Sequence, residues 1–386
     1  MIHISESIRY IGCDDAELNL FESQYVTPEG MCYNSYVILD EKVAVMDTCD
    51  PRKTHEWLHN LEVELAGRTP DYLVVHHMEP DHSGSIAAFV GRYPSATIVA
   101  SAKAISFMSQ FNEGLNANSR TIAEGDTLEL GQHTLTFVAA PMVHWPEVMV
   151  SYESTEKVLF SADGFGKFGT YHADEDDWAC EARRYYFNIC GKYGANVGAL
   201  LKKASCLSIS KILPLHGPIL EGEKLAEALR LYTIWSNYEI ETPGVLIAYA
   251  SIHGNTKACA ERMAEILKSK GAPKVVLADL CRDDMAETIE DAFRMGKLIL
   301  AAASYDADVF PPMHYFLYKL SIKGFRKRTV GIIENGTWGP TAGRAMKSML
   351  ESMKDITIVD PMVTIRSSMH QSDIPQLEAL ADAILA

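Results

Sequence analysis

The most constraining feature of the sequence is a regular alternation of strand and helix patterns beyond Pro243-Gly244. Five short apolar runs are each followed by a segment whose apolar residues have helical spacing. The predicted strands are 245–250, 274–279, 297–302, 329–334 and 356–359, and the predicted helices are 256–270, 285–295, 312–323, 341–354 and 374–385. Strands that alternate with helices pair in parallel, because each helix returns the chain across the sheet. The pattern therefore predicts a doubly wound, five-stranded parallel sheet.

The chain before Pro243 has a different pattern. Alternating strands are predicted up to residue 47, strands and helices alternate from 51 to 111, strands follow in series from 121 to 162, and the last helix covers 222–240. The segment 239–244 reads as a linker, because a Pro-Gly pair ends a helix and interrupts periodicity. A chain of 386 residues exceeds the usual size of one domain. We therefore predict two domains, residues 1–243 and 244–386.

Composition excludes several classes of partner and site. A formal net charge of −16 makes binding to nucleic acid unfavourable, because phosphate backbones repel an acidic surface. No apolar run reaches the roughly 18 residues that favour a membrane span. The first residues, Met1 to Glu6, lack the basic and apolar regions of a signal peptide, which predicts a cytoplasmic protein. None of the cysteines is spaced as C-x-x-C, so a tetrathiolate zinc or iron site is not expected.

Residues 77–82, with the sequence His-Met-Glu-Pro-Asp-His, concentrate metal-binding side chains on one predicted strand-to-helix turn. An apolar strand pattern, 71–76, precedes the turn, and a helical pattern begins near Ser83. Imidazole and carboxylate groups at alternate positions of an extended turn can converge on one point, while Asp81 and His82 face a second. The alternative is a polar loop in which these groups pair only with each other. Four donors within six residues favour a site for two metal ions.

Three further donors, His144, Asp163 and His216, each follow the end of a predicted strand. Function is commonly carried by loops at the ends of core strands, because the strands hold them rigidly. Any one of the three alone would more often be structural: Asp163 precedes a glycine, and both histidines lie near a proline. Their repeated placement at strand ends indicates that they complete the site around residues 77–82.

Three strand ends of the second domain form a candidate flavin site. The first strand opens into a loop of small polar residues, where backbone N–H groups and hydroxyls can hold a phosphate at the start of a helix. This loop lacks the Gly-Lys-Ser/Thr of a Walker loop and the G-x-G-x-x-G of dinucleotide sites, which suits a mononucleotide. Tyr305 and Trp338 can flank a flat ring. The candidate FMN contacts are Ser251, Ile252, His253, Gly254, Asn255, Thr256, Ser304, Tyr305, Asp306, Ala307, Asn335, Gly336, Thr337, Trp338 and Gly339.

These residues closely resemble the flavodiiron proteins, or A-type flavoproteins, over essentially the whole chain. The resemblance rests on the pattern H-x-E-x-D-H followed by distant His, Asp and His. It implies an α/β fold in which a metallo-β-lactamase-like αββα sandwich precedes a flavodoxin-like domain. By this resemblance one iron ion is bound by His77, Glu79 and His144, a second by Asp81, His82 and His216, and Asp163 bridges them. His76 does not fit the pattern.

The resemblance also implies a function. Flavodiiron proteins reduce O₂ to water or NO to N₂O in the cytoplasm, with FMN and two Fe ions as cofactors. The family pattern implies an obligate head-to-tail homodimer, or a dimer of dimers, in which the flavin of one chain meets the irons of the other. The chain resembles the minimal two-domain class, because no rubredoxin-like cysteine pairs follow the second domain. An external electron donor such as rubredoxin is therefore expected.

Two other functions fit parts of the sequence. A zinc hydrolase of the β-lactamase fold fused to a flavodoxin domain is the first, but such hydrolases carry H-x-H-x-D-H. Glu79 adds a hard anionic oxygen instead, which favours iron or manganese over zinc. Three carboxylates and one hydroxide would also balance two ferrous ions. The second alternative is an electron carrier or redox sensor without turnover, which the complete set of seven donors disfavours.

Overall fold

The computed structural model describes residues 2–173 and 177–386. The chain divides into two compact units, and the division falls between Thr233 and Ile234. The predicted linker at Pro243-Gly244 lies inside a strand, Thr242–Ala250, rather than in a loop. The strand tolerates the pair because its pairing register shifts between Thr242 and Val245, which removes the need for a proline N–H. The predicted helix 222–240 is shorter in the structure, at Gly222–Ser236.

The first unit contains sixteen strands and six complete α-helices within its described residues, and a seventh helix begins in it and ends at Ser236. The strands are β1 (Ile8–Tyr10), β2 (Cys13–Asp15), β3 (Leu20–Phe21), β4 (Tyr25–Val26), β5 (Met31–Tyr33), β6 (Tyr36–Leu39), β7 (Val43–Met46), β8 (Tyr72–Val75), β9 (Thr97–Ser101), β10 (Ser119–Ile122), β11 (Thr127–Glu129), β12 (Thr134–Ala139), β13 (Met149–Glu153), β14 (Val158–Phe160), β15 (Lys211–Leu213) and β16 (Leu220–Glu221). The helices are α1 (Thr54–Leu65), α2 (Pro80–Ser83), α3 (Ile86–Arg92), α4 (Ala102–Phe111), α5 (Trp178–Ile189), α6 (Gly194–Ala204) and α7 (Gly222–Ser236).

Two six-stranded sheets form the centre of this unit. The first has the order β1-β6-β7-β8-β9-β10, and the second runs from β11 to β16 in chain order. Their inner faces share one apolar core, with Met46 and Val74 from the first sheet packed among Phe137, Phe160 and Leu213 from the second. Helix α1 contacts β6, and helix α4 contacts β9 and β10. The predicted sandwich of two sheets with helices is thereby confirmed.

The second unit is built on a parallel sheet. Its strands are β17 (Thr242–Ala250), β18 (Val275–Asp279), β19 (Met295–Tyr305), β20 (Asp308–Val309), β21 (Arg326–Asn335), β22 (Lys354–Ile358) and β23 (Val363–Ile365), and its helices are α8 (Asn255–Ser269), α9 (Met285–Arg294), α10 (Pro311–Ile322), α11 (Ala342–Glu351) and α12 (Ile374–Leu385). Five strands pair in parallel in the order β18-β17-β19-β21-β22. This order is the doubly wound flavodoxin-like topology that the sequence predicts.

Two short strands of the second unit were not predicted. Strand β20 pairs antiparallel with the end of β19, and β23 pairs parallel with the end of β21. With two and three residues, they are too short to show periodicity in the sequence. Among the described residues, no helix combines the length and apolarity that crossing a membrane requires.

Candidate metal centre and flavin cavity

Four predicted donors meet in a first group. His77 follows β8, Glu79 precedes α2, His144 lies between β12 and β13, and Asp163 follows β14. His144 Nε2 lies 2.9 Å from Glu79 Oε2 and 3.1 Å from Asp163 Oδ2. His77 Nε2 lies 3.2 Å from the same oxygen of Glu79 and 3.4 Å from Asp163 Oδ2. Two imidazole nitrogens and two carboxylate oxygens therefore surround one point.

The three remaining donors form a second group. Asp81 and His82 are adjacent in α2, and His216 follows β15. His82 Nε2 and His216 Nε2 are 2.9 Å apart, and each lies 3.2 Å from Asp81 Oδ2. The structure thus brings together all seven donors singled out in the sequence, divided between two points as the family resemblance implies.

Asp163 connects the two groups. Its Oδ2 belongs to the first group, whereas its Oδ1 lies 3.2 Å from His82 Nε2 and 3.9 Å from His216 Nε2. The side chain is buried between the imidazoles of both groups. A carboxylate that presents one oxygen to each of two points has the geometry of a bridging ligand.

The fold explains why these residues converge. Strand β8 belongs to the first sheet, whereas β12, β14 and β15 belong to the second, so both sheets supply donors at the edge of the sandwich. Pro80 occupies the first position of α2 and fixes its start, with Glu79 preceding it. Thr48 anchors the same turn, since its hydroxyl and its backbone N–H donate to the His82 carbonyl at 2.6 and 3.0 Å.

Outer hydrogen bonds orient two of the histidines. The Nδ1–H of His77 donates to Glu147 Oε1 at 2.9 Å, and the Nδ1–H of His216 donates to the Cys32 carbonyl at 2.7 Å. A hydrogen bond at Nδ1 fixes the tautomer that leaves the Nε2 lone pair available to a metal. Both bonds therefore turn Nε2 toward the donor groups.

The electrostatics of the groups suit cations. Burial lowers the pKa of His77, but the charge of Asp163 and a bond to Glu147 raise it overall, to about 9. Burial likewise lowers the pKa of His144, which contacts with Asp163 and Glu79 raise to about 10. Burial raises the pKa of Asp163, but the charge of His77 holds it well below its usual range. The carboxylate charge that favours protonated imidazoles can also be balanced by metal ions, which then replace the protons.

Buried oxygen atoms provide a second test of the fit. Both carboxylate oxygens of Asp81 and the Oδ1 of Asp163 accept no hydrogen bond from the described residues. Imidazole nitrogens nevertheless lie 3.2 Å from Asp81 Oδ2 and from Asp163 Oδ1. Unpaired buried acceptors are costly and rare. Imidazole nitrogens and carboxylate oxygens that lie close together without forming hydrogen bonds have the arrangement of metal ligands around a shared ion. The residues therefore fit a pair of metal ions.

His76, which the family pattern omits, lies outside both groups. It is buried, and its Nδ1 lies 2.5 Å from Asp47 Oδ2 while its Nε2 lies 2.8 Å from Ser151 Oγ. Asp47 follows β7 of the first sheet, and Ser151 lies in β13 of the second. His76 therefore links the two sheets beside the donor groups.

A cavity of about 280 Å³ adjoins the metal-binding groups. Its lining includes Glu79 and Asp81, one from each group, and the polar side chains of Arg52 and Tyr33. Its apolar wall includes Leu18, Leu20 and Phe21. The cavity is large enough for a small molecule to reach the donors.

A larger cavity, of about 560 Å³, lies at the carboxyl edge of the parallel sheet. Its lining includes every candidate FMN contact named from the sequence except Gly254. Ala303, Thr341 and Ser367 also line it. Ala303 directly precedes the predicted contact segment 304–307, and Thr341 begins the predicted helix 341–354. Ser367 follows the unpredicted strand β23, so only the first two had a sequence signal.

The start of α8 forms one end of this cavity. Gly254 has a φ of 91°, which allows the tight turn between β17 and the helix, and its N–H donates to Ser251 Oγ at 3.1 Å. The first turn of the helix presents backbone N–H groups, which favour an anion. Tyr305 and Trp338 also line the cavity and are 45% and 91% exposed. Anion-binding and aromatic parts thus occupy one cavity.

The chain is similar in sequence to proteins that are already known. Residues 31–217 match the family model described as ODP family beta lactamase. An anaerobic nitric oxide reductase flavorubredoxin of Aliivibrio fischeri is 28% identical over 90% of this chain and 72% of its own.

Solved structures share the whole fold. The rubredoxin oxygen:oxidoreductase of Desulfovibrio gigas has a TM-score of 0.93 at 23% identity and covers 99% of this chain and 97% of its own. The flavodiiron protein of Giardia intestinalis has a TM-score of 0.91 at 23% identity, covering 98% of this chain and 95% of its own. At this identity the structural likeness establishes the fold. Together with the sequence relatives, it shows that the chain is similar to flavorubredoxins and flavodiiron proteins across both of its units.

Proposed function

We propose that the protein reduces O₂ to water, NO to N₂O, or both, with electrons that an external donor such as rubredoxin delivers to FMN. The observation that carries the proposal is the convergence of seven nitrogen and oxygen donors into two groups that share Asp163. Relatives named for nitric oxide reduction and for oxygen reduction both support it.

The donor set favours iron. It contains four imidazoles and three carboxylates and no sulfur, and Glu79 supplies a hard oxygen where the related zinc hydrolases carry histidine. In the proposed site His77, Glu79 and His144 would hold one iron, Asp81, His82 and His216 would hold the other, and Asp163 would contribute one oxygen to each. When bound, the two irons supply Lewis acidity and electrons to a diatomic molecule. The chain positions these ligands and admits the gas through the cavity beside Glu79 and Asp81.

FMN is the proposed occupant of the cavity in the second unit. Its phosphate would bind the loop 251–256, and its ring would lie between the segments 304–307 and 335–339. When bound, FMN accepts electron pairs and releases single electrons. The surrounding residues would hold the ring, and Trp338, which lines the same cavity, is 91% exposed.

Assembly and location are part of the proposal. Tyr305, Tyr315, Tyr318 and Trp338 are large exposed side chains around and beside the flavin cavity, which suits burial against another protein. We propose a head-to-tail homodimer, alone or paired into a dimer of dimers, in which these side chains meet a second copy. The acidic chain is proposed to act in the cytoplasm, without nucleic-acid or membrane partners.

Gas consumption by the purified protein tests the proposed function. We expect two irons and one FMN per chain, with consumption of O₂ or NO when rubredoxin and its reductase supply electrons. Electrodes that follow both gases, together with metal and flavin analysis, provide the measurement. Zinc with ester or amide cleavage would support a hydrolase instead, and redox-active flavin without gas consumption would support an electron carrier.

Metal loading should release protons. His77 and His144, whose pKa values are raised to about 9 and about 10, are protonated at neutral pH in the metal-free protein. A metal must displace those protons from Nε2, so we expect binding to release protons and to strengthen with rising pH. Calorimetry in buffers of different ionisation enthalpy measures the release. Metal affinity that stays constant between pH 6 and 8 would contradict this expectation.

A further inference from the structure

Glu147 is a buried carboxylate directly behind the first metal-binding group. It lies in the turn between β12 and β13, three residues after His144, and its side chain is fully buried. Its Oε1 accepts the Nδ1–H of His77 at 2.9 Å and the backbone N–H of Met78 at 2.9 Å. Its own carbonyl accepts the Ser101 hydroxyl at 2.9 Å. The carboxylate is thus hydrogen-bonded to both the His77 ring and the backbone N–H of the next residue, Met78.

This contact gives His77 a distinct environment among the ligand histidines. His216 donates its Nδ1–H to a neutral backbone carbonyl, and the Nδ1 of His82 has no hydrogen-bond partner within the described parts of the chain. Among the described contacts of these histidines, only His77 has a carboxylate at Nδ1, the ring nitrogen that faces away from the metal-binding group. A carboxylate in that position increases the basicity of Nε2, whereas a carbonyl does so less.

Glu147 also has a second carboxylate oxygen that the contact with His77 leaves unused. Its Oε2 is buried and accepts no hydrogen bond from the described residues. A buried carboxylate with an unpaired oxygen costs free energy unless positive charge lies nearby. The first group lies across the His77 ring and would provide that charge when a cation is bound.

We propose that Glu147 is a positioning residue that locks His77 in its metal-binding tautomer and strengthens the metal position formed by His77, Glu79 and His144. The proposal rests on the proposed function, because it requires metal ions at the two groups. It makes the two positions unequal, since the position of Asp81, His82 and His216 has no such carboxylate among its described contacts.

Two variants separate the charge of Glu147 from its acceptor oxygen. Glu147→Gln keeps an oxygen that can accept from His77 and Met78 but removes the charge. Glu147→Ala removes both. The matched control is Glu153→Gln, because Glu153 is also fully buried in this unit but accepts its hydrogen bonds from the backbone of Thr155 and Glu156. That control removes a buried carboxylate without touching a metal ligand.

Titration of the metal-free protein with Co²⁺, followed by absorption and paramagnetic NMR, tests the proposal. We expect Glu147→Ala to weaken one of two cobalt sites by about 10- to 100-fold and to leave the other unchanged. Glu147→Gln should give a smaller loss at the same site, and Glu153→Gln none. The shifted Nδ1–H resonance of His77 should exchange rapidly with water in Glu147→Ala, while that of His216 serves as an unchanged internal reference.

The outcomes distinguish this proposal from the proposed function. Two cobalt sites in every variant, with wild-type affinities and a slowly exchanging His77 proton, would overturn the role of Glu147 alone. Equal weakening of both sites in Glu147→Ala would show general disruption and would also overturn it. A parent protein that binds no cobalt at the two groups would contradict the proposed function itself.

Discussion

Asp163→Asn should remove metal from both positions of the site, not from one. Asn retains one carbonyl oxygen and the size of the side chain, but it loses the charge and the second oxygen that faces the other group. We expect the metal affinity of each position to fall by about 100-fold or more. The loss exceeds that expected for an outer contact, because Asp163 itself would bind the metal ions. Metal analysis after dialysis against a mild chelator measures the loss.

Glu79→Gln is the control for this prediction. Glu79 contacts His77 and His144 and belongs only to the first group. The control should therefore lose about one metal per chain and keep its flavin. Retention of two metals in Asp163→Asn, or the same single loss in both variants, would show that Asp163 does not bridge the positions.

The second large effect is expected at the flavin cavity. Thr256 lies in the first turn of α8, and its side chain is buried at the cavity wall. Thr256→Asp places a negative charge where the proposed phosphate binds, so we expect FMN affinity to fall by about 100-fold or more. The helix itself should persist, because an acidic residue in its first turn is favourable.

Flavin absorbance after gel filtration and iron content of the same sample check this result. Thr256→Ser, which keeps a hydroxyl without a charge, is the matched control and should retain FMN. Iron content should remain that of the parent in both variants. Loss of iron together with flavin in Thr256→Asp would contradict the independence of the two sites.

Much of this arrangement could be predicted from the sequence, because strand ends leave strong local signals. The apolar run before His77 and the runs before Asp163 and His216 show where the donors leave the sheets. The five alternating units beyond residue 244 likewise predicted the parallel sheet and the edge at which the flavin cavity lies. The strand ends and the parallel sheet could be predicted because hydrophobic periodicity depends only on residues that are close in the sequence.

Other features depend on contacts between distant segments. Glu147 follows the Trp-Pro pair after His144 like any loop acid, and its contact with His77 appears only when β8 and β13 come together. Ser367 reaches the flavin cavity through β23, a strand of three residues that continues beside β21 after β22 ends. The inclusion of Pro243-Gly244 in β17 likewise depends on the irregular register between this strand and β19. None of these could be read from local pattern.

The most direct test of the account is a crystal structure of the purified protein with anomalous diffraction on both sides of the iron edge. We expect two iron peaks in each chain, one among His77, Glu79 and His144 and one among Asp81, His82 and His216, with one Asp163 oxygen toward each. A single peak, a pair that scatters as zinc, or an Asp163 carboxylate turned away from both positions would contradict it.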